Sequence, residues 1–151
     1  MKHTTSTSLR ISAALGAAAL LGVSLTGCSA IAKLQQSTAD AWAVTYEVTV
    51  EGVDTATLTD VSYLDQEMRT AERTSVDAGT VTASAAVDGT ASWKVESIVV
   101  VGDEAKVSAT AAEGERATCR ILLDGEREIA TATGEPGSAV TCEAIAPPFD
   151  K

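Results

Sequence analysis

Thiols and imidazoles are the side chains most able to do nucleophilic, redox or metal chemistry, and this sequence has few of them. There are three cysteines, Cys28, Cys119 and Cys142, and one histidine, His3. Cys119 and Cys142 are too widely separated for the Cys-x-x-Cys of a redox pair, and two isolated thiols are too few to hold a metal. A structural disulfide between them is the expected chemistry, worth about 3 kcal/mol for a loop of this length in the chain-entropy model. The carboxylates are more numerous. Asp103-Glu104, Glu113 with Glu115 and Glu126 with Glu128 offer oxygens for calcium, but none matches the D-x-[DN]-x-[DN]-G spacing of an EF-hand loop. A pair of acids could also serve a glycosidase, yet nothing in the sequence singles out two of them.

Cys28 has a different setting. Lys2 and Arg10 flank a segment with no acidic residue, and Ile11 to Leu25 follows without any charge. This is the basic, then apolar order of a secretory signal, and the apolar run falls short of the roughly 20 residues a membrane-spanning helix needs. Leu25-Thr26-Gly27-Cys28 then resembles the lipobox of bacterial lipoproteins, an aliphatic residue and two small ones before a cysteine. The small residues let a peptidase reach the bond before Cys28, whose thiol takes a diacylglyceryl group and whose freed amine takes a further acyl chain such as palmitate. More than one chain matters, because a single one gives only marginal, reversible attachment. Residues 1–27 are thus expected to be a signal peptide, and Cys28 a lipidation site on the extracytoplasmic face of the cell membrane.

Removing Lys2 and Arg10 with the signal leaves 9 of the 11 basic residues against all 21 acidic ones, a net charge of −12. A body this acidic argues against nucleic acid and against adhesion to anionic lipid heads, both of which need a basic face. His3 leaves as well, and without it imidazole-based triads, His-metal sites and general acid–base work by histidine drop out. No enzymatic activity, cofactor or metal is expected.

These chemistries need positioning elements. Residues 28–41 read as a tether. From Trp42 the pattern becomes period two, with Trp42, Val44, Tyr46, Val48 and Val50 on one face of a strand. Further strands are expected over Ala56–Leu64, Thr80–Val87, Ser92–Val101, Glu104–Ala111, Ala117–Leu123, Arg127–Ala132 and Ala139–Ala144. Asp54, Gly89, Gly102-Asp103, Asp124-Gly125 and Gly134 to Gly137 supply turns between them. Asp65 to Asp77 reads as a charged, solvated excursion. The whole indicates an all-β, immunoglobulin-like antiparallel sandwich of seven or eight strands over residues 42–146, with 147–151 as a C-terminal tail. In Ser97-Ile98-Val99-Val100-Val101 both faces are apolar, which suits a buried central strand better than an exposed contact surface.

Asp124-Gly125 marks a hairpin. A three-residue loop, Leu123 to Gly125 with Gly125 left-handed, pairs Arg120 with Glu128 and sets Cys119 and Ile121 with Ile129 on the other face. That register separates polar from apolar and is the one expected. First and third strands of one flat sheet lie about 9.5 Å apart, too far for a disulfide, which needs Cα atoms within about 7 Å. A bond from Cys119 across the sandwich to Cys142 is the simplest solution.

In order and rough spacing, "VTYEVTV" (44–50), "TLTDVSYLDQ" (57–66), "SWKVESIVVVG" (92–102), "TCRILLDGEREIATATG" and "AVTCEA" resemble the soluble domain of the MmpS family of small mycobacterial membrane proteins. The most telling element is C-x-I-x-x-D-G with a later cysteine, here Cys119, Ile121, Asp124, Gly125 and Cys142. The resemblance implies a β-sandwich outside the cytoplasmic membrane, accessory to a resistance-nodulation-division exporter of lipid, siderophore or drug. This chain departs from the family in having a lipobox where an uncleaved helix is usual, and Ser92 where a proline precedes the tryptophan. The alternative role is an envelope lipoprotein that binds calcium or a small solute, or is structural. Intact-mass analysis of the mature protein is expected to find Cys28 first and acylated, with the modification absent from C28S; an unmodified amino terminus in the wild type would refute the anchor.

Overall fold

The computed structural model describes residues 38–86 and 89–149; Cys28 and most of the tether lie outside them. Eight strands follow in order: β1 (Ala41–Glu51), β2 (Ala56–Asp65), β3 (Thr74–Ala85), β4 (Thr90–Val100), β5 (Glu104–Thr110), β6 (Ala117–Leu123), β7 (Arg127–Thr133) and β8 (Ala139–Ile145). All pair antiparallel in one sheet of order β7-β6-β1-β4-β3-β2-β5-β8. The all-β class and antiparallel sandwich are as expected. The two layers are the halves β7-β6-β1-β4 and β3-β2-β5-β8 of a single folded sheet.

Alternation decides what lies between the layers. Trp42, Val44, Tyr46, Val48 and Val50 are buried along β1, with Cys119, Ile121 and Leu123 beside them on β6. Leu58, Val61 and Val107 come from the other layer, with Ala56, Ala83, Ala105, Ala109 and Ala111. These alanines are too small to hold the layers apart, so the halves curl toward one another until the sheet is nearly a barrel. One aromatic row crosses the interior: Tyr46 and Tyr63 have ring centroids 5.8 Å apart, and Tyr63 and Trp93 6.1 Å.

The halves are joined sparingly. Between β3 and β4 the ladder has two residue pairs, Ser84 with Ser92 and Ala85 with Ala91. On the far side Cys119 of β6 and Cys142 of β8 form the expected disulfide, their Cα atoms 5.9 Å apart. Both cysteines are buried, so the bond crosses the core between layers.

Two sequence expectations need correction. The β6–β7 register places Arg120 opposite Thr131 and Ile121 opposite Ala130, with Leu122 opposite Glu128. The cause is local. Asp124 and Gly125 both take positive φ, 51° and 74°, and the Glu126 amide donates to the Leu123 carbonyl at 3.1 Å, as in the tight turns that suit a hairpin's twist. A bulge at Ile129 then brings β7 back into phase with β6, an extra residue absorbed on one strand. Arg120 still reaches Glu128, diagonally, at 2.6 Å. The other correction concerns Asp65 to Asp77, whose last part belongs to β3 and whose Gln66 is 1% exposed; a side chain that bonds the loop's own backbone is withdrawn from water. Of Ile98 to Val100, expected on a buried central strand, Val99 and Val100 are buried and Ile98 half-buried, but only β1 pairs with this stretch, since the β3–β4 ladder ends at Ser92.

Because the disulfide closes the side of the sandwich opposite the two-pair ladder, C119S/C142S is expected to lose about 3 kcal/mol of unfolding free energy. Urea denaturation of the two proteins measures the difference. A loss under 1 kcal/mol would mean the β3–β4 junction and core suffice.

Candidate contact surface at the tether pole

The antiparallel order sends several connections to one end. Ala41 pairs with Val100, Glu104 with Ile145, and Asp65 with Thr74. The start of β1, the β4–β5 turn, the β6–β7 turn, the β2–β3 loop and the end of β8 therefore share one pole, the end at which the chain arrives from the expected anchor. Loops 52–55, 111–116 and 134–138 lie at the other.

Hydrogen bonds build the tether pole. Gln66 Nε2 donates to the carbonyls of Arg69 at 3.2 Å and Ala71 at 3.0 Å, curling the loop on itself. Its amide donates to Ser97 Oγ at 3.0 Å, and Ser97 Oγ donates to Asp65 Oδ1 at 2.6 Å. Arg69 Nη1 donates to the Ala39 carbonyl at 3.4 Å and Arg73 Nη1 to the Glu104 carbonyl at 2.9 Å. The loop is thus strapped to the first residues of the domain and to β5. On the same end Trp42 Nε1 donates to the Pro147 carbonyl at 2.8 Å. Phe149 stacks on the Trp42 ring with centroids 4.0 Å apart, and the Arg127 guanidinium lies 5.8 Å from that ring's centroid. Residues 147–149, read from sequence as the start of a tail, pack along the domain.

Large hydrophobic side chains left in water gather here. Among the described residues, Met68 is 55% exposed, Ile145 61% and Phe149 38%. Met68 lies on the strapped loop, Ile145 ends β8, and Phe149 lies beyond it. A recess of about 230 Å³ lined by Glu104, Glu143, Ala144 and Ile145 adjoins. A wider, shallow groove of about 420 Å³ runs over the outer face, from Ala43 and Thr45 to Glu96 and Asp124-Gly125. Burying what is exposed of the three hydrophobics would contribute a few kcal/mol. Glu67, Glu72, Asp103, Glu104, Asp124 and Glu126 share the pole with Arg69, Arg73 and Arg127, and each acid in excess, brought to an anionic lipid surface, would oppose that by about 1 kcal/mol. On these magnitudes an anionic bilayer does not hold the pole by itself.

The carboxylates weighed for calcium are dispersed: Asp103-Glu104 and Glu126 at the tether pole, Glu113 and Glu115 at the far one, Glu128 on β7. Among the described residues no three His, Cys, Asp or Glu side chains come together to hold a metal ion. The buried carboxylate is one that sequence reasoning missed. Glu47, 6% exposed, sits on the outer face of β1 with Lys94 Nζ at 3.0 Å and Arg120 Nη1 at 3.5 Å, and accepts from Ser92 Oγ at 3.1 Å. Arg120 spans from it to Glu128. Cross-strand partners on β4 and β6 explain the arrangement, which neutralises Glu47. The signal available in sequence was an acid in the middle of the polar face of β1, whose other charge, Glu51, is at the strand's end.

No protein-family model matches the chain, and comparison with the curated proteins finds no match. Among the described residues no helix is long and apolar enough to cross a membrane.

Tyr46 links the pole to the core, its hydroxyl donating to the Leu64 carbonyl at 2.8 Å across the two layers. Burial pushes its phenol up to about 12, with the charges of Asp65 and Glu104 acting in the same direction and a Lys106 backbone bond and Arg73 opposing. The folded value lies above the unfolded one near 10, so this stabilisation is complete below pH 10 and is lost as pH rises toward 12. The wild type should lose roughly 2–3 kcal/mol over that window, and Y46F should lack this component. Urea titrations at pH 9, 10.5 and 12 test it; parallel curves for the two proteins would rule it out.

Proposed function

We propose that this protein is a lipid-anchored accessory or adaptor for a resistance-nodulation-division exporter of lipid, siderophore or drug. It sits on the extracytoplasmic face of the cell membrane, held by acyl chains on Cys28, and acts by contact without catalysis. One observation carries the reading most directly: the chain joins the sandwich at the pole that bears its exposed large hydrophobics, so the expected anchor and the most adhesive surface are at the same end.

Further support comes from the chemistry the chain lacks after the signal. A mature chain without histidine, whose buried carboxylate is already paired with Lys94 and Arg120, is better suited to holding than to reacting. The resemblance to the MmpS family supplies the exporter. Its motif residues serve the fold here: Cys119 and Ile121 are core positions of β6, Asp124-Gly125 is the following turn, and Cys142 is the other end of the staple. They support a shared architecture, and the partner class follows from the family's role.

Chemical crosslinking of the acylated protein in its native membrane, followed by mass spectrometry of the products, tests this. An exporter of the resistance-nodulation-division class is the expected principal adduct, reduced at least ten-fold for C28S. A product set with no exporter in it would sink the proposal.

A further inference from the structure

The two poles differ in kind. Among the described residues, far-pole loops 52–55, 111–116 and 134–138 carry glycine, alanine, proline and charge around a half-buried Val53, whereas Met68, Ile145 and Phe149 stand out at the tether pole. We infer that the tether pole is a protein-docking surface, and that its partner is an integral membrane protein offering an apolar recess rimmed by lysine and arginine close to the bilayer. This rests on the lipid anchor proposed above.

Two observations select that occupant. The first is reach. Nine residues of chain, 29–37, separate Cys28 from the described residues, ten backbone steps or roughly 35 Å at full extension. The 11 residues of β1 then carry the far pole about 37 Å further away. Met68, Ile145 and Phe149 are therefore held within that tether length of the bilayer, whereas the far pole ranges to about twice that distance. The second is charge. Glu67, Glu72, Asp103, Glu104, Asp124 and Glu126 share this pole with Arg69, Arg73 and Arg127, so its balance is acidic. Anionic lipid repels such a pole, and a basic protein rim complements it. An apolar centre with a charged border is also the make-up of protein interfaces. The occupant favoured on both counts is a protein at the membrane, not the lipid itself.

The test places a photo-crosslinking benzoylphenylalanine at position 68, 145 or 149 of the full-length lipoprotein in native membranes, with positions 51, 113 and 135 at the far pole for comparison. Mass spectrometry of the adducts should identify one integral membrane protein from the three tether-pole positions, at ten-fold or more the yield from the far pole. E67K/E126K should lower that yield at least five-fold while melting at the wild-type temperature; E67Q/E126Q replaces it if the reversal unfolds the protein. Adducts with the mass of phospholipid, equal yields from both poles, or yields unmoved by the charge changes would overturn the docking surface. Failures of the two readings separate. Tether-pole adducts to a membrane protein that is no exporter remove the exporter role and keep the surface, and exporter adducts from the far pole do the reverse.

Discussion

Everything in this fold depends on keeping two halves of one sheet face to face. Along the sheet they are joined by two residue pairs between β3 and β4. Across the core they are joined by Cys119–Cys142, by the Tyr46–Leu64 hydrogen bond and by contact among alanines, valines and a short aromatic row. A core so poor in large side chains buries limited apolar area per residue, and marginal stability is the normal outcome of opposing terms of similar size. A covalent tie between the layers acts on the unfolded ensemble, where added burial would not. The two ties lie on opposite sides of the sandwich, so neither half can swing open about the other.

The same arrangement polarises the molecule. An even number of antiparallel strands returns the chain to the pole where it began, so the start of β1 and the end of β8 are neighbours. That adjacency lets Trp42, second residue of the first strand, reach Pro147 and Phe149 beyond the last. It also brings Met68 of the β2–β3 loop to the same end as Ile145 and Phe149 of the C-terminal segment. An anchored domain with this geometry offers its apolar residues toward whatever shares its membrane.

Charge sets the limits of that contact. The long side chains on the outer face of β1, β4 and β6 neutralise one another through Glu47, Lys94, Arg120 and Glu128. Exposed pairs such as Lys106–Glu143, at 2.8 Å, steady local geometry more than they stabilise the fold. The excess acids are left in water, in the loops and along the outer faces of the strands.

The strands and the staple were legible in the sequence because their causes are local. Period-two alternation from Trp42 to Val50 allows only one face to be buried, and two isolated cysteines in a chain expected to be exported have one default fate. The spacing argument for a bond across the layers needed only strand geometry. The β6–β7 register was not legible, since the bulge at Ile129 arises from how Asp124-Gly125 turns while β6 stays in phase with β1. Nor was the burial of Gln66, which follows from a loop closing on itself against Ser97, or that of Glu47, which needs Lys94 and Arg120 from two neighbouring strands. The contact surface lay furthest out of view: Met68, Ile145 and Phe149 share no motif or period. Residue order by itself determined what the chain is made to bury and where its thiols must go. Tertiary structure alone decided which leftover hydrophobics meet, because proximity between distant segments comes from strand order, and strand order is settled by packing the whole sheet.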